Sequence, residues 1–179
     1  AYSLAMNIHP ELEKDAAGTA DITAQLITSG TKNRSKEQLD NDIDFIGASL
    51  NASAKNIYAS SLKKHQIKLL ELMSDVLLNN DFKQEELDKI KNQTLSGLAT
   101  QKDDPDAISK NVKAVLNYSK RHPYGEITTE ATVEKITLEN CNNYFKNYYR
   151  PNVAYLAVVG DITLAEVKPL VEKYFGKWE

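Results

Sequence analysis

Strand-like segments stand near both ends of this chain, and helical periodicity fills most of the sequence between them. This order restricts the fold more than any other feature. Alternating apolar residues predict a strand over 2–8, a continuous apolar run predicts another over 153–159, and residues 48–63 predict two strands joined by a polar turn. Helices are predicted over 18–30, 35–47, 66–78, 83–101 and 105–118, from Thr137 onward, and over 164–175. Because the helices are grouped and do not alternate with strands, the chain predicts an α+β fold, not a doubly wound parallel sheet.

The same periodicities predict which side chains form the core. In the helix over 66–78, the buried side is predicted to carry Ile67, Leu70, Met73, Val76 and Leu77. In the second strand of the 48–63 pair, the predicted alternation runs through Tyr58, Ser60 and Leu62.

Side chains at the predicted helix starts support these bounds. Ser35 and Gln38 form a capping-box pattern, and Thr137 and Thr163 each stand where a helix cap is expected. Asp103, Asp104 and Asp106 surround Pro105, where carboxylates favour the positive end of the helix dipole. A calcium site is the alternative for these aspartates, but the spacing is not that of an EF-hand loop. Capping is the preferred interpretation.

Composition is that of an average globular domain. The 179 residues, 41% hydrophobic and 26% charged, predict one domain over 1–179. A net charge of −3 gives no electrostatic footprint for nucleic acid, and no apolar run approaches the ~20 residues that span a bilayer. Because the chain starts at Ala1 without a methionine, we expect it to be a piece of a longer protein.

A single cysteine, Cys141, excludes an internal disulfide and a multi-cysteine metal site. Its position in a predicted helix beside Tyr144 favours a structural side chain over a reactive thiol. His9, His65 and His122 have no partner at metal-ligand spacing, so structural or solvent-exposed roles are preferred for them.

Ser60, Ser61 and His65 raise the alternative of nucleophilic catalysis. The strand alternation already accounts for both serines, and no nucleophile elbow surrounds either of them. This alternative is therefore disfavoured.

An aromatic and basic cluster precedes the last strand and comprises Tyr144, Phe145, Tyr148, Tyr149 and Arg150. It has two interpretations: a surface that binds a peptide or a subunit, or a helix end packed on the sheet. The second is preferred.

The stretch over 18–35 predicts a short helix that ends near Gly30 and places apolar residues on one side. It occurs together with several other segments in a fixed order: GTADITAQLITSGTKNRS, IDFIGASLNASA, LLELMSDVLLNNDF, QKDDPDA, HPYGEITTE and YYRPNVAYLAVVGDIT. From Ala16 to Trp178 this combination resembles the N-terminal-type domain of the M16 zinc peptidases (pitrilysin/insulinase, mitochondrial processing peptidase-like). The resemblance implies an α+β domain of the LuxS/MPP-like metallohydrolase type, a sheet with helices packed on one face. It also implies two similar domains that pair with a second such unit.

In active members of that family, the corresponding helix carries His-x-x-Glu-His, in which two histidines bind zinc and the glutamate serves as general base. The resemblance places the first histidine at Asp21, the glutamate at Ala24 and the second histidine at Gln25. The further glutamate ligand falls close to Ser96 or Gly97. A neutral amide, a methyl group and a missing side chain cannot replace these groups, so we expect no catalytic residue, no metal and no cofactor in this domain.

Three functional hypotheses follow. The first is a non-catalytic M16 domain or subunit that helps to enclose a peptide substrate and pairs with a His-x-x-Glu-His-bearing half, in the same chain or another, which supplies the zinc. A bound peptide is expected to add to a sheet edge that the sequence does not identify. The second is a scaffold or interaction module with no role in proteolysis. The third is an enzyme with a new site near Asp21 and Gln25. The compartment stays open, with the bacterial periplasm among the options.

Overall fold

The computed structural model describes residues 1–179, and four short strands form its single antiparallel sheet. They are β1 (Tyr2–Met6), β2 (Ser49–Ser53), β3 (Asn56–Ser60) and β4 (Ala154–Val158), in the spatial order β2-β3-β1-β4. Leu4 in the middle of β1 lies opposite Ile57 of β3 and Leu156 of β4. The sheet therefore joins the first predicted strand to the last, and β2 and β4 are its edges.

Eight α-helices complete the fold, joined in places by single 3₁₀ turns. They are α1 (Thr19–Ile27), α2 (Lys36–Phe45), α3 (Gln66–Leu78), α4 (Gln84–Gln101), α5 (Pro105–Tyr118), α6 (Glu130–Lys135), α7 (Leu138–Tyr148) and α8 (Leu164–Phe175). None of them combines the length and hydrophobicity that crossing a bilayer requires. The α+β prediction is confirmed, and seven of the eight helices match predicted ones.

The core lies between one face of the sheet and the helices, as predicted. Tyr2, Leu4 and Met6 of β1 and Ile57 and Ala59 of β3 are buried on this face. The helical side of the core is supplied mainly by α1 and α3, whose fully buried side chains include Ile22, Leu26, Ile27, Leu69, Leu70, Leu72 and Met73. Each such side chain stabilises the fold by about 1.5–3 kcal/mol relative to an exposed one.

Three sequence-based expectations are wrong in detail. The buried residues of β3 are Ile57 and Ala59, whereas Tyr58 is 39% exposed, because successive strand residues point to opposite faces of the sheet. Ile67 lies in the first turn of α3 but is 54% exposed, since the helix buries its opposite side in that turn. The short helix α6 was not predicted, although Thr129 and Thr132 form a capping box at its start.

The predicted caps are present. Side chains of Ser35, Thr137 and Thr163 each accept a hydrogen bond from the backbone N–H three residues on. At α5, the Asp104 carboxylate accepts from the Asp106 N–H at 2.9 Å, with Pro105 in the first turn. Capping is thus confirmed as the role of Asp104.

A buried carboxylate fixes the loop between α1 and α2. Asp75 of α3 is 4% exposed and accepts hydrogen bonds from Thr31 Oγ1, Asn33 Nδ2 and Arg34 Nη1 at 2.6–2.8 Å. Asn79 Nδ2 donates a fourth at 2.9 Å. Burial opposes ionisation of this carboxyl, but the four donors outweigh burial and lower the pKa of Asp75. The loop, and with it the end of α1, is therefore held against α3.

Candidate functional site

The helix that carries the predicted motif positions begins with an unusual cap. Gly18 precedes α1 with a positive φ of 105°, and an added Cβ there would lie 2.8 Å from Thr128 Cγ2. The Glu13 carboxylate accepts hydrogen bonds from the Gly18 and Ala20 N–H groups at 2.6 and 2.8 Å. The Glu126 carboxylate in turn accepts from the N–H groups of Glu13 and Lys14 at 2.8 and 2.6 Å. Glu13 thus caps the start of α1, and Glu126 binds the backbone of the preceding 3₁₀ turn.

The structure places Asp21 and Gln25 one helical turn apart on α1, both exposed to solvent. Ala24 is 4% exposed and faces the protein. Gly97 lies in α4, which packs beside α1, but it is exposed and nothing lies within 4 Å of a Cβ added to it. One helix face therefore brings Asp21 and Gln25 together, while positions 24 and 97 present no functional group.

These side chains do not fit a zinc ion. A zinc site takes three or four nitrogen, sulfur or carboxylate donors, and only Asp21 supplies one here. No group of three or more His, Cys, Asp or Glu side chains is arranged to hold a metal ion. The methyl group of Ala24 supplies no general base at position 24.

A groove of about 470 Å³ opens beside the first turn of α1. Its lining includes the carboxylates of Glu11, Glu13, Asp21 and Glu126, and none of the four forms an ion pair. Lys55 also lines the groove, but its ammonium donates to the Ile8 carbonyl at 3.1 Å. The groove is therefore predominantly acidic.

Two tyrosines of α7 form one wall of this groove. The rings of Tyr144 and Tyr148 lie 4.6 Å apart between centroids. The Tyr148 hydroxyl donates to the Glu11 carboxylate, and the Tyr144 hydroxyl donates to the Ala54 carbonyl at 3.0 Å. The hydrogen bond to Glu11, together with burial, raises the pKa of Tyr148 to about 12, so the phenol stays neutral at physiological pH.

The surroundings of the α1 cap also shift the pKa of Glu13. Burial raises the pKa of Glu13, the N–H groups of Ala20 and Gly18 lower it, and the neighbouring Glu126 charge raises it again. The net result is a pKa above the ordinary value. Glu13 and Glu126 were not predicted as site residues. The contact between them spans 113 positions, so no local pattern could have shown it.

The three histidines lie apart from one another. His9 lines the acidic groove, His65 lies in the turn before α3, and His122 stacks on Tyr118 with centroids 5.5 Å apart. Ser61 donates to the Leu62 carbonyl at 3.1 Å, and neither Ser61 nor Ser60 hydrogen-bonds His65. No hydroxyl is thus activated by a base at this place.

The aromatic cluster at the end of α7 packs mainly on the sheet, as preferred from the sequence. Tyr149 is 3% exposed, stacks on Phe145 at 5.0 Å and donates to the Ser53 carbonyl at 2.6 Å. The Tyr144 hydroxyl likewise donates to the Ala54 carbonyl, so two tyrosine hydroxyls hydrogen-bond the backbone at the end of β2. Arg150 remains exposed. Cys141 of α7 is fully buried, which fits the structural role preferred for it, and burial raises the pKa of its thiol.

Comparison with known proteins identifies the family. The profile described as "Insulinase (Peptidase family M16)" matches residues 11–127, and that described as "Peptidase M16 inactive domain" matches residues 135–179. The chain belongs to peptidase family M16. The M16 resemblance of the sequence is therefore confirmed.

Relatives of this M16 chain include zinc proteases and processing peptidases. It is 26% identical over 167 residues to an uncharacterized zinc protease of Bacillus subtilis, covering 90% of this chain and 41% of that protein. It is 26% identical over 171 residues to a probable mitochondrial-processing peptidase subunit beta of Schizosaccharomyces pombe, covering 90% of this chain and 36% of that protein. The chain thus spans about two fifths of the length of these relatives.

Solved structures share the fold. A protease from Helicobacter pylori superimposes with a TM-score of 0.87 at 20% identity, over 99% of this chain and 45% of that one. A peptidase M16 inactive domain from Pseudomonas fluorescens gives 0.84 at 20% identity, over 98% and 44%. The M16 fold is therefore present across the whole described chain.

Proposed function

We propose that this M16 domain is non-catalytic and pairs with a His-x-x-Glu-His-bearing half, in the same chain or as a separate subunit, to enclose a peptide substrate. The observation that carries the proposal is the face of α1, where Asp21 and Gln25 are exposed and Ala24 is buried. One carboxylate and one amide are too few donors for zinc, and Ala24 supplies no general base at position 24. Zinc and the activated water belong to the partner half.

The position of the groove supports a role in holding peptide. It lies beside the first turn of α1 and includes Ala54, which directly follows β2. The strand β2 is an edge of the sheet and packs beside α1. We propose that an extended peptide adds to this edge through backbone hydrogen bonds and that its side chains contact the groove.

The experiment is a native purification of the full-length protein, with partners identified by mass spectrometry and peptidase activity assayed with and without a chelator. We expect a His-x-x-Glu-His half in the preparation and cleavage that the chelator abolishes. Replacing the glutamate of that motif by glutamine is expected to remove activity.

The matched variant is Q25A in the present domain, which is expected to leave cleavage intact because Gln25 does not line the groove. Loss of cleavage in Q25A, or chelator-sensitive cleavage by this domain without a partner, contradicts the proposal. A partner without peptidase activity would favour the scaffold hypothesis.

A further inference from the structure

The helix α5 and the loop after it have little attachment to the rest of the fold. Over residues 91–132 only Gly125 is buried, whereas eight of the thirteen residues of α3 are buried. No hydrophobic side chain of α5 packs against the core. Residues 103–125 form no hydrogen bond or ion pair with any residue before Gln101 or after Glu126. Because so few contacts oppose it, opening of this segment costs much less free energy than unfolding of the core.

The loop that leads back from α5 forms one wall of the acidic groove. We call residues 119–128 the return loop, and Pro123, Glu126 and Thr128 of this loop line the groove. Apart from its continuation into α5, the return loop is hydrogen-bonded to the fold through the Glu126 side chain. The Glu126 carboxylate accepts from the N–H groups of Glu13 and Lys14 at 2.8 and 2.6 Å. Breaking these two hydrogen bonds therefore releases a wall of the groove.

Strained backbone lies on both sides of this attachment. Lys14 and Ser119 are the only residues other than glycine with a positive φ, of 55° and 68°. Lys14 donates to Glu126, and Ser119, with a ψ of 149°, adopts a conformation that is otherwise typical of glycine. A Cβ added to Gly125 would overlap the Ser119 carbonyl, so the return loop is tightly folded at this point. Such strain persists only where surrounding contacts enforce it, and it is typical of switch regions and ligand clamps.

We infer that the return loop is a gate on the acidic groove, which Glu126 holds closed, and that α5 opens together with the loop. In the closed state the groove lies between the return loop and the tyrosines of α7. Release of Glu126 removes the first of these walls and relieves the strain at Lys14 and Ser119. The gate controls access to the groove, which goes beyond the proposed function, and it does not require the zinc-bearing half.

The first test follows hydrogen exchange of the full-length protein by mass spectrometry. A released helix of 14 residues is only marginally stable in water, so exchange of the α5 amides reports the opening. We expect α5 and the return loop to exchange together, about a hundredfold or more faster than α3.

Two substitutions are expected to shift this opening in opposite directions. E126A removes both hydrogen bonds and should speed exchange of α5 and the return loop about tenfold, with no change in α3. S119G relieves strain in the closed state and should slow exchange of both segments about threefold. The matched control is E37A, which removes an exposed carboxylate from α2 and should change neither segment.

The second test measures access to the groove with a thiol. Ala54 lines the groove, and the native Cys141 is fully buried, so A54C supplies the reactive thiol. We expect a bulky maleimide to label A54C about tenfold faster in combination with E126A than in combination with E37A.

Unchanged exchange of α5 in E126A, exchange of α5 without the return loop, or an equal labelling rate of A54C in both combinations would overturn the gate. If E126A speeds exchange in α3 as much as in α5, Glu126 supports the whole fold and the inference is likewise wrong. Faster exchange in S119G would show that the closed state is not the strained one, which also contradicts the gate. These measurements do not involve the partner half, so the gate and the proposed pairing can fail separately.

Discussion

Replacing Asp75 by asparagine tests how the fold holds the end of α1. One carboxylate oxygen accepts from Thr31 and Arg34, and the other accepts from Asn33 and Asn79. An asparagine has one oxygen and one NH₂ group, so in either orientation its NH₂ faces two donors. D75N therefore loses at least two hydrogen bonds to a buried charge, at about 1.5–3 kcal/mol each.

We expect D75N to lower the free energy of unfolding by about 3–5 kcal/mol, the range for breaking a buried ion pair. With a urea m-value of about 2 kcal/mol per M, the midpoint falls by about 2 M. Circular dichroism during urea unfolding at pH 7 measures this shift. The control is D42N, because Asp42 also forms an ion pair with Arg34, at 3.0 Å, but its side chain is 38% exposed. D42N is therefore expected to lower the free energy of unfolding by only about 0–1 kcal/mol.

The lowered pKa of Asp75 predicts that the stability of the fold depends on pH. Because the pKa of Asp75 is lowered in the folded chain, its contribution is fully present above the unfolded pKa of about 3.9 and is lost as the pH falls through the folded value. The stability gap between wild type and D75N should therefore shrink below about pH 4. If D75N costs no more than D42N at pH 7, or if the gap is the same at acid pH, the reasoning is refuted.

Three further outcomes are expected. G18A should destabilise the chain by more than about 1 kcal/mol, because residue 18 has a positive φ and an added Cβ would clash with the Thr128 side chain. G97A lies in open space on α4 and should stabilise the chain by about 0.5–1 kcal/mol. Thermal unfolding of both variants measures these changes. D21H/Q25H/G97E, which supplies three donors, should bind zinc in equilibrium dialysis, while D21H/Q25H and wild type should not; stoichiometric zinc in the wild type would contradict the site assignment. Cys141 should react with a thiol reagent only after denaturation, because it is buried with a raised pKa, and fast labelling of the folded chain would show this wrong.

Local signals in the sequence were sufficient for seven of the eight helices. Ser35 with Gln38, and Asp104 with Pro105, act within one turn, so their caps are visible in the sequence and present in the structure. The face of β3 was assigned wrongly because Tyr58 and Ile57 are both acceptable in a strand, and only the packing of Ile57 under α3 decides between them.

The acidic groove beside α1 was not predictable in the same way. Its carboxylates come from separate segments, with Glu11 and Glu13 before α1 and Glu126 in the loop before α6. Asp21 was singled out from the sequence as a lost ligand, but its neighbours in space were not. The family resemblance implies which groups this helix face has lost; it does not show which distant segments line the groove beside that face.

The position of β1 in the sheet has a consequence for synthesis. This strand lies between β3 and β4, and its Tyr2 pairs with Val158, 156 residues later. At about 5–20 residues per second, the ribosome needs roughly 8–30 s to supply that partner. During this interval one side of β1 has no strand to pair with, so the nascent chain is exposed to pairing with other chains. A chaperone that covers an open strand edge should therefore act on this chain before β4 is made.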